Sequence, residues 1–125
     1  MTIQNAVNLT KTYRPNRFSD ADLIRWLSAA DGMVWEEIVS THEGDRGDSF
    51  AGYDAQTDRG TTLLVDEPYA EDVYLNYLNS RIDLENAEIA KYNVSSALFN
   101  AGWAAYADWY NRTHAPKRET ARFRT

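Results

Sequence analysis

His42, Glu43, Asp45 and Asp48 crowd into the short stretch THEGDRGD. Imidazole and carboxylates this close together are the groups that a divalent metal or a proton-transfer site would use. The spacing argues against both. In HExxH, two histidines one turn apart share a helix face. Here the other histidine, His114, lies near the far end of the chain. No cysteine is present, so thiolate ligands and thiol nucleophiles are excluded. The stretch DAQTDRG, residues 54–60, has the acidic look of a calcium loop. Its glycine is displaced, however, and Val65 stands where the bidentate acid is required. No glycine-rich loop leads into Lys-Ser/Thr, so no phosphate cradle is evident. RGD at 46–48 is a three-residue match that chance supplies easily, and Asn8, Asn93 and Asn111 in N-x-S/T triplets matter only in a secreted chain. The residues therefore give an expectation of no catalysis, no cofactor and no metal.

The second chemical candidate is aromatic. LFNAGWAAYADWYNRTHAP, residues 98–116, holds Phe99, Trp103, Tyr106, Trp109 and Tyr110. Aromatics interleaved with bases would suit stacking on single-stranded nucleic acid. This segment has only Arg112 as a base. Phe99, Trp103, Tyr106 and Tyr110 recur at intervals of four, three and four, which places them on one helix face. Alanines and Gly102 fill the gaps and allow a neighbouring helix to come close. The segment reads as the spine of a core, with Trp103 and Tyr106 as core residues and not ligand contacts.

The elements that position these residues are helical. Thr2 caps a short helix over about 2–13, which Pro15 ends. Ser19, followed by Asp20 and Asp22, caps a helix near 19–42. Leu23, Leu27, Ala30, Val34 and Ile38 form its stripe, which keeps its phase across Gly32, and Trp26 and Trp35 flank it. Residues 43–67 break the periodicity and form a long loop, of the kind that is often functional or disordered; TTLLV within it adds a short strand or lies along the helices. Pro68 opens a helix over about 68–92 with Leu75, Leu78, Ile82 and Ile89 in one stripe, widened by Val73, Tyr77, Leu84 and Ala87. Asn93, Ser95 or Ser96 caps the last helix, near 94–113. The expected fold class is all-α: a small bundle of three main helices plus a short N-terminal one, with a long loop between the first and second main helices. Residues 1–116 form the domain and 117–125 a basic tail.

Composition bounds the function. With 125 residues, 43% hydrophobic, the chain fits one globular domain. It has no apolar run long enough to span a bilayer and no apolar leader at its start, so a soluble protein without a cleavable signal is expected. The net charge is −6 and unevenly spread. Residues 19–92 hold 17 acids against five bases, whereas residues 1–18 hold three bases and no acid, and residues 93–125 five bases against two acids. An acidic body is repelled by phosphates, which argues against wrapping nucleic acid. Basic ends can pair with another copy's body or fold back on their own. The tail residues Lys117, Arg118, Arg122, Phe123 and Arg124 form the candidate protein-interaction site, an apolar anchor among cations.

Read in order, RWLSAADG, EEIVSTHEG, FAGYD, TTLLVDEPYAEDVYLNYL, EIAKYNVSSALFNAGWAAYADWYNRTHAPKR and ARFR resemble a small prophage protein similar to the head–tail connector, or adaptor, proteins of tailed bacteriophages. The resemblance covers about Phe18 to the C-terminus, and its motifs concern packing and turns. It implies a helical, non-enzymatic subunit without a cofactor. Such a subunit forms a homo-oligomeric ring with portal protein on one side and stopper or tail protein on the other. It is made in the host cytoplasm and sits at the virion neck, with no membrane and no sequence-specific nucleic-acid partner. A different small phage or bacterial interaction protein, such as an assembly chaperone or inhibitor, is the alternative; an enzyme or nucleic-acid-binding protein is the third class.

Overall fold

A computed structural model describes residues 1–44 and 46–117. The fold is all-α: α1 (Ile3–Tyr13), α2 (Asp20–Glu37), α3 (Ala70–Glu85) and α4 (Ile89–Thr113), with one 3-10 turn at Val39–Thr41 after α2. Local chemistry sets the first two starts. Thr2 accepts from the Asn5 backbone N–H while the Asn5 side chain accepts from Thr2, a reciprocal cap. Ser19 accepts from the Asp22 N–H, and Asp20 and Asp22 face the positive end of the helix dipole. Helix α2 runs unbroken through Gly32, and Leu23, Leu27, Ala30, Val34 and Ile38 are all buried.

Helix α3 is the centre. Ala70, Val73, Tyr74, Leu75, Leu78, Ile82 and Asp83 are buried around much of its circumference, because α1, α2 and α4 all pack on it. The basic N-terminal region folds back on the chain's own body: Lys11 pairs with Asp20, which also takes Arg59 at 2.5 Å, and Arg14 pairs with the buried Asp83. Lys11 and Arg59 hold the Asp20 carboxyl below its ordinary range. Ser95 of α4 donates to the second oxygen of Asp83 at 2.9 Å, so one carboxylate ties α1, α3 and α4 together.

The boundaries of the three main helices differ from the sequence expectation: α2, expected to reach about 42, ends at Glu37 and gives way to the 3-10 turn, and the last two differ more. Helix α3 stops at Glu85 and α4 starts at Ile89, so Asn93, Ser95 and Ser96 are interior residues and not caps. Pro68 lies in the turn before α3, following a cis Glu67–Pro68 bond, and does not occupy its first helical position. Ile89 and Leu84, expected on the α3 stripe, are exposed. The cause is the turn. Ala87 N–H bonds to Leu84 C=O at 3.0 Å and Glu88 N–H to Asp83 C=O at 2.9 Å, the paired bonds of a Schellman C-terminus. That motif needs a left-handed residue, and Ala87 takes φ 55° there. Glycine usually marks this position, so an alanine hid the stop.

Residues 43–67 are not a free loop. Leu63 and Val65 are buried in the core, and Leu64 between them turns its N–H to Asp31. The chain beside them pairs with the N-terminus: Leu63 N–H donates to Met1 C=O and Ile3 N–H to Thr61 C=O. Asp31, fully buried on α2, accepts from Leu64 N–H at 3.0 Å, from Tyr53 OH at 2.6 Å and from Tyr74 OH. Tyr74 OH in turn accepts from Val65 N–H at 2.8 Å. Burial pushes the Asp31 carboxyl up, against the pull of these three donors. The calcium-like stretch is two side-chain turns: Asp54 accepts from the N–H groups of Gln56 and Thr57, and Asp58 from that of Gly60.

Two substitutions test this account. Asp31→Ala strands the Leu64 N–H and two tyrosine hydroxyls in the core and should cost about 3–5 kcal/mol, read as a lowered urea midpoint. Ala87→Gly relieves the left-handed strain and should raise stability by up to about 1 kcal/mol with an unchanged urea slope. A neutral or destabilising result would remove strain as the reading of that turn.

Candidate interaction surface

Helix α4 carries the surface that the fold leaves open. Its backbone packs along α3 and along no other helix. Gly102 makes the approach possible, since a Cβ there would stand 3.3 Å from the Asp72 backbone. Of the 25 residues of α4 only Ser95, Tyr106 and Tyr110 are buried. Tyr106 donates to Asp66 at 2.7 Å, which burial and that hydrogen bond accompany with a raised phenol pKa, and Arg46 stands 3.6 Å from the same carboxylate. Arg46 also donates to Leu64 C=O at 2.6 Å, so the arginine of RGD is an anchor of the fold.

The aromatic spine is confirmed at Tyr106 and Tyr110, and corrected at Trp103. Trp103 is only partly buried, as are Phe99 and Trp109. Rather than sitting inside the core, Trp103 lines a shallow groove with Met33, Glu37, Phe99 and Asn100 between α4 and α2. The groove continues past Tyr77, Leu84 and Tyr92. The α3-facing edge of the spine is core; its α2-facing edge is surface, because α2 does not reach α4.

On the opposite flank a second groove of about 340 Å³ runs between α3 and α4, lined by Arg14, Asn76, Asn79, Lys91, Val94 and Leu98. It continues along Ala101, Gly102 and Ala105. Val94 is 62% and Leu98 52% exposed. This second stripe on α4, Val94, Leu98, Ala101 and Ala105, also spaced four, three and four, lies outside the aromatic row that the sequence periodicity singles out. The signal was the absence of any charge from Tyr92 to Ala107. An apolar floor with a charged rim and an open mouth suits a protein partner better than a small molecule.

Both histidines gather on Tyr110. His114 stacks on its ring at 3.7 Å and His42 meets it edge-on at 5.0 Å. The His42 ring nitrogens lie 2.7 Å from Ile38 C=O and 2.8 Å from Asn111 Oδ1. These are packing and tethering contacts that hold the end of α4 against the chain after α2. Among the described residues no group of three or more His, Asp or Glu is placed to hold a metal ion, and no helix is long and apolar enough to cross a membrane.

Of the proposed tail site, Lys117 is described and Arg118, Arg122, Phe123 and Arg124 lie outside the described residues. Lys117 N–H donates to Thr41 C=O at 3.0 Å, and Glu43 N–H to Ala115 C=O at 2.8 Å. The root of the tail is thus joined to its own chain, while the Lys117 residue remains exposed.

The contrast between the two aromatics gives a direct check. Tyr106→Ala should cost about 3–5 kcal/mol, and Trp103→Ala only about 1–2 kcal/mol, in paired melting or urea curves. Equal losses would show that α4 is buried on both flanks.

Comparison of the chain with protein-family models, with curated proteins and with solved structures finds no match.

Proposed function

We propose that this chain is a structural assembly protein of a tailed-phage virion: a head–tail connector subunit that works in a ring at the neck, between portal and stopper or tail. The observation that supports it most is α4, a long helix held on one side and apolar on its outer flanks. A lone globular domain gains nothing from such a helix, whereas a subunit with several neighbours needs one. The sequence resemblance supplies the identity of those neighbours. The basic residues Lys117, Arg118, Arg122 and Arg124, with Phe123, supply on charge alone a segment suited to an acidic neighbour or the portal. In this reading the protein does no chemistry and takes no cofactor.

The test is the mass of the purified protein by sedimentation, alone and mixed with the portal protein of the same phage genome. The expected outcome is a small species alone and a portal-bound ring when mixed, with binding that weakens as salt rises. Failure to join the portal at low salt would overturn the connector reading.

A further inference from the structure

The exposed flank of α4 has a pattern that matches itself when reversed. Along the groove between α3 and α4 the outward positions are Lys91, Val94, Leu98, Ala101 and Ala105, and Asp108 follows one step beyond its end. They alternate in steps of three and four, the seam on which two helices pack side by side. All six are exposed. Size runs from large to small along the seam, with Val94 and Leu98 before Ala101 and Ala105. Charge is confined to its ends and opposite in sign, Lys91 at one and Asp108 at the other.

We propose that this flank docks a second copy of the chain, the two α4 helices antiparallel about a two-fold axis midway between Leu98 and Ala101. That axis sets Leu98 over the partner's Ala101 and Val94 over the partner's Ala105, so each bulky side chain meets a small one. It sets Lys91 against the partner's Asp108, and both contacts occur twice, as a two-fold interface requires. A parallel arrangement would bring like charges and equal sizes together instead. Within one chain Lys91 already pairs with Glu88 at 2.7 Å and Asp108 with Arg112 at 2.6 Å. Each end of the dimer seam therefore carries four charges of alternating sign. The polar α3 edge, Asp72, Asn76 and Asn79, forms the rim.

The inference rests on α4 as an assembly surface and not on the connector reading, and it is tested without any portal. Sedimentation equilibrium of the intact protein should show a monomer–dimer equilibrium. Leu98→Glu, at an exposed site, should leave the melting curve near that of the parent and weaken the dimer about a hundredfold. Lys91→Glu and Asp108→Lys should each weaken it by about tenfold at low salt. Combined, they reverse both ends together and should restore it. A protein that stays monomeric at all concentrations overturns the proposal. So does a dimer that survives Leu98→Glu, or a double charge reversal that fails to recover what the single ones lose. Portal binding by a strict monomer would leave the connector reading standing and this one refuted.

Discussion

A single carboxylate organises the long connection on which the bundle depends. The described residues of the 43–67 connection form no helix or sheet that would satisfy their backbone, and burying such a chain without partners is costly. Asp31 answers that need from α2. Its oxygens take the Leu64 N–H and the hydroxyls of Tyr53 and Tyr74, and Tyr74 passes the network on to the Val65 N–H. With Leu64 fixed, the alternation of an extended chain sends Leu63 and Val65 inward on either side of it. The same segment then meets the N-terminus, holding the start of α1. Each donor alone is modest, but a satisfied network in a low-dielectric interior is cooperative, and losing Asp31 would orphan the three groups that donate to it.

The parts of this fold that were legible in the sequence are those governed by nearest neighbours. The caps at Thr2 and Ser19 and the stripe from Leu23 to Ile38 are local chemistry, and they stand where the spacing put them. The turn between α3 and α4 was illegible because its key conformation falls on Ala87, a residue that gives no signal for it. Asp31 was equally silent. Nothing in a helix-borne aspartate announces that Tyr53, Leu64 and Tyr74 will converge on it from sites far along the chain. On the candidate surface, periodicity picked out the aromatic row of α4, of which Tyr106 and Tyr110 are core, and passed over the row through Val94 and Leu98. It could not tell which row faces α3 and which faces outward, since both Tyr106 and Leu98 lie on regular stripes.

The histidines show the same division between type and place. His42 and His114 belong to a residue class rich in chemistry, yet here they clasp the ring of Tyr110. Their joint effect is mechanical: they anchor the end of α4 to the strand-like pairing of residues 41–43 with 115–117. Together with Ser95 on Asp83 and Tyr106 on Asp66, this gives α4 two polar moorings on the edge that faces α3 and a third at its C-terminal end.

A helix moored along one edge has its own thermodynamic life. The hydrogen bonds of α2 and α3 break only when the common core breaks, so their amide protons should report the global free energy of unfolding. Those of α4 are under no such obligation. Peeling it from α3 exposes Tyr106, Tyr110 and the face of α3 they cover, and parts Ser95 from Asp83 and Tyr106 from Asp66, but leaves Asp31, its three donors and the contacts of α1 and α2 with α3 in place. Amide exchange along α4 should therefore follow a smaller, sub-global opening, with α4 as the outermost cooperative unit of the molecule.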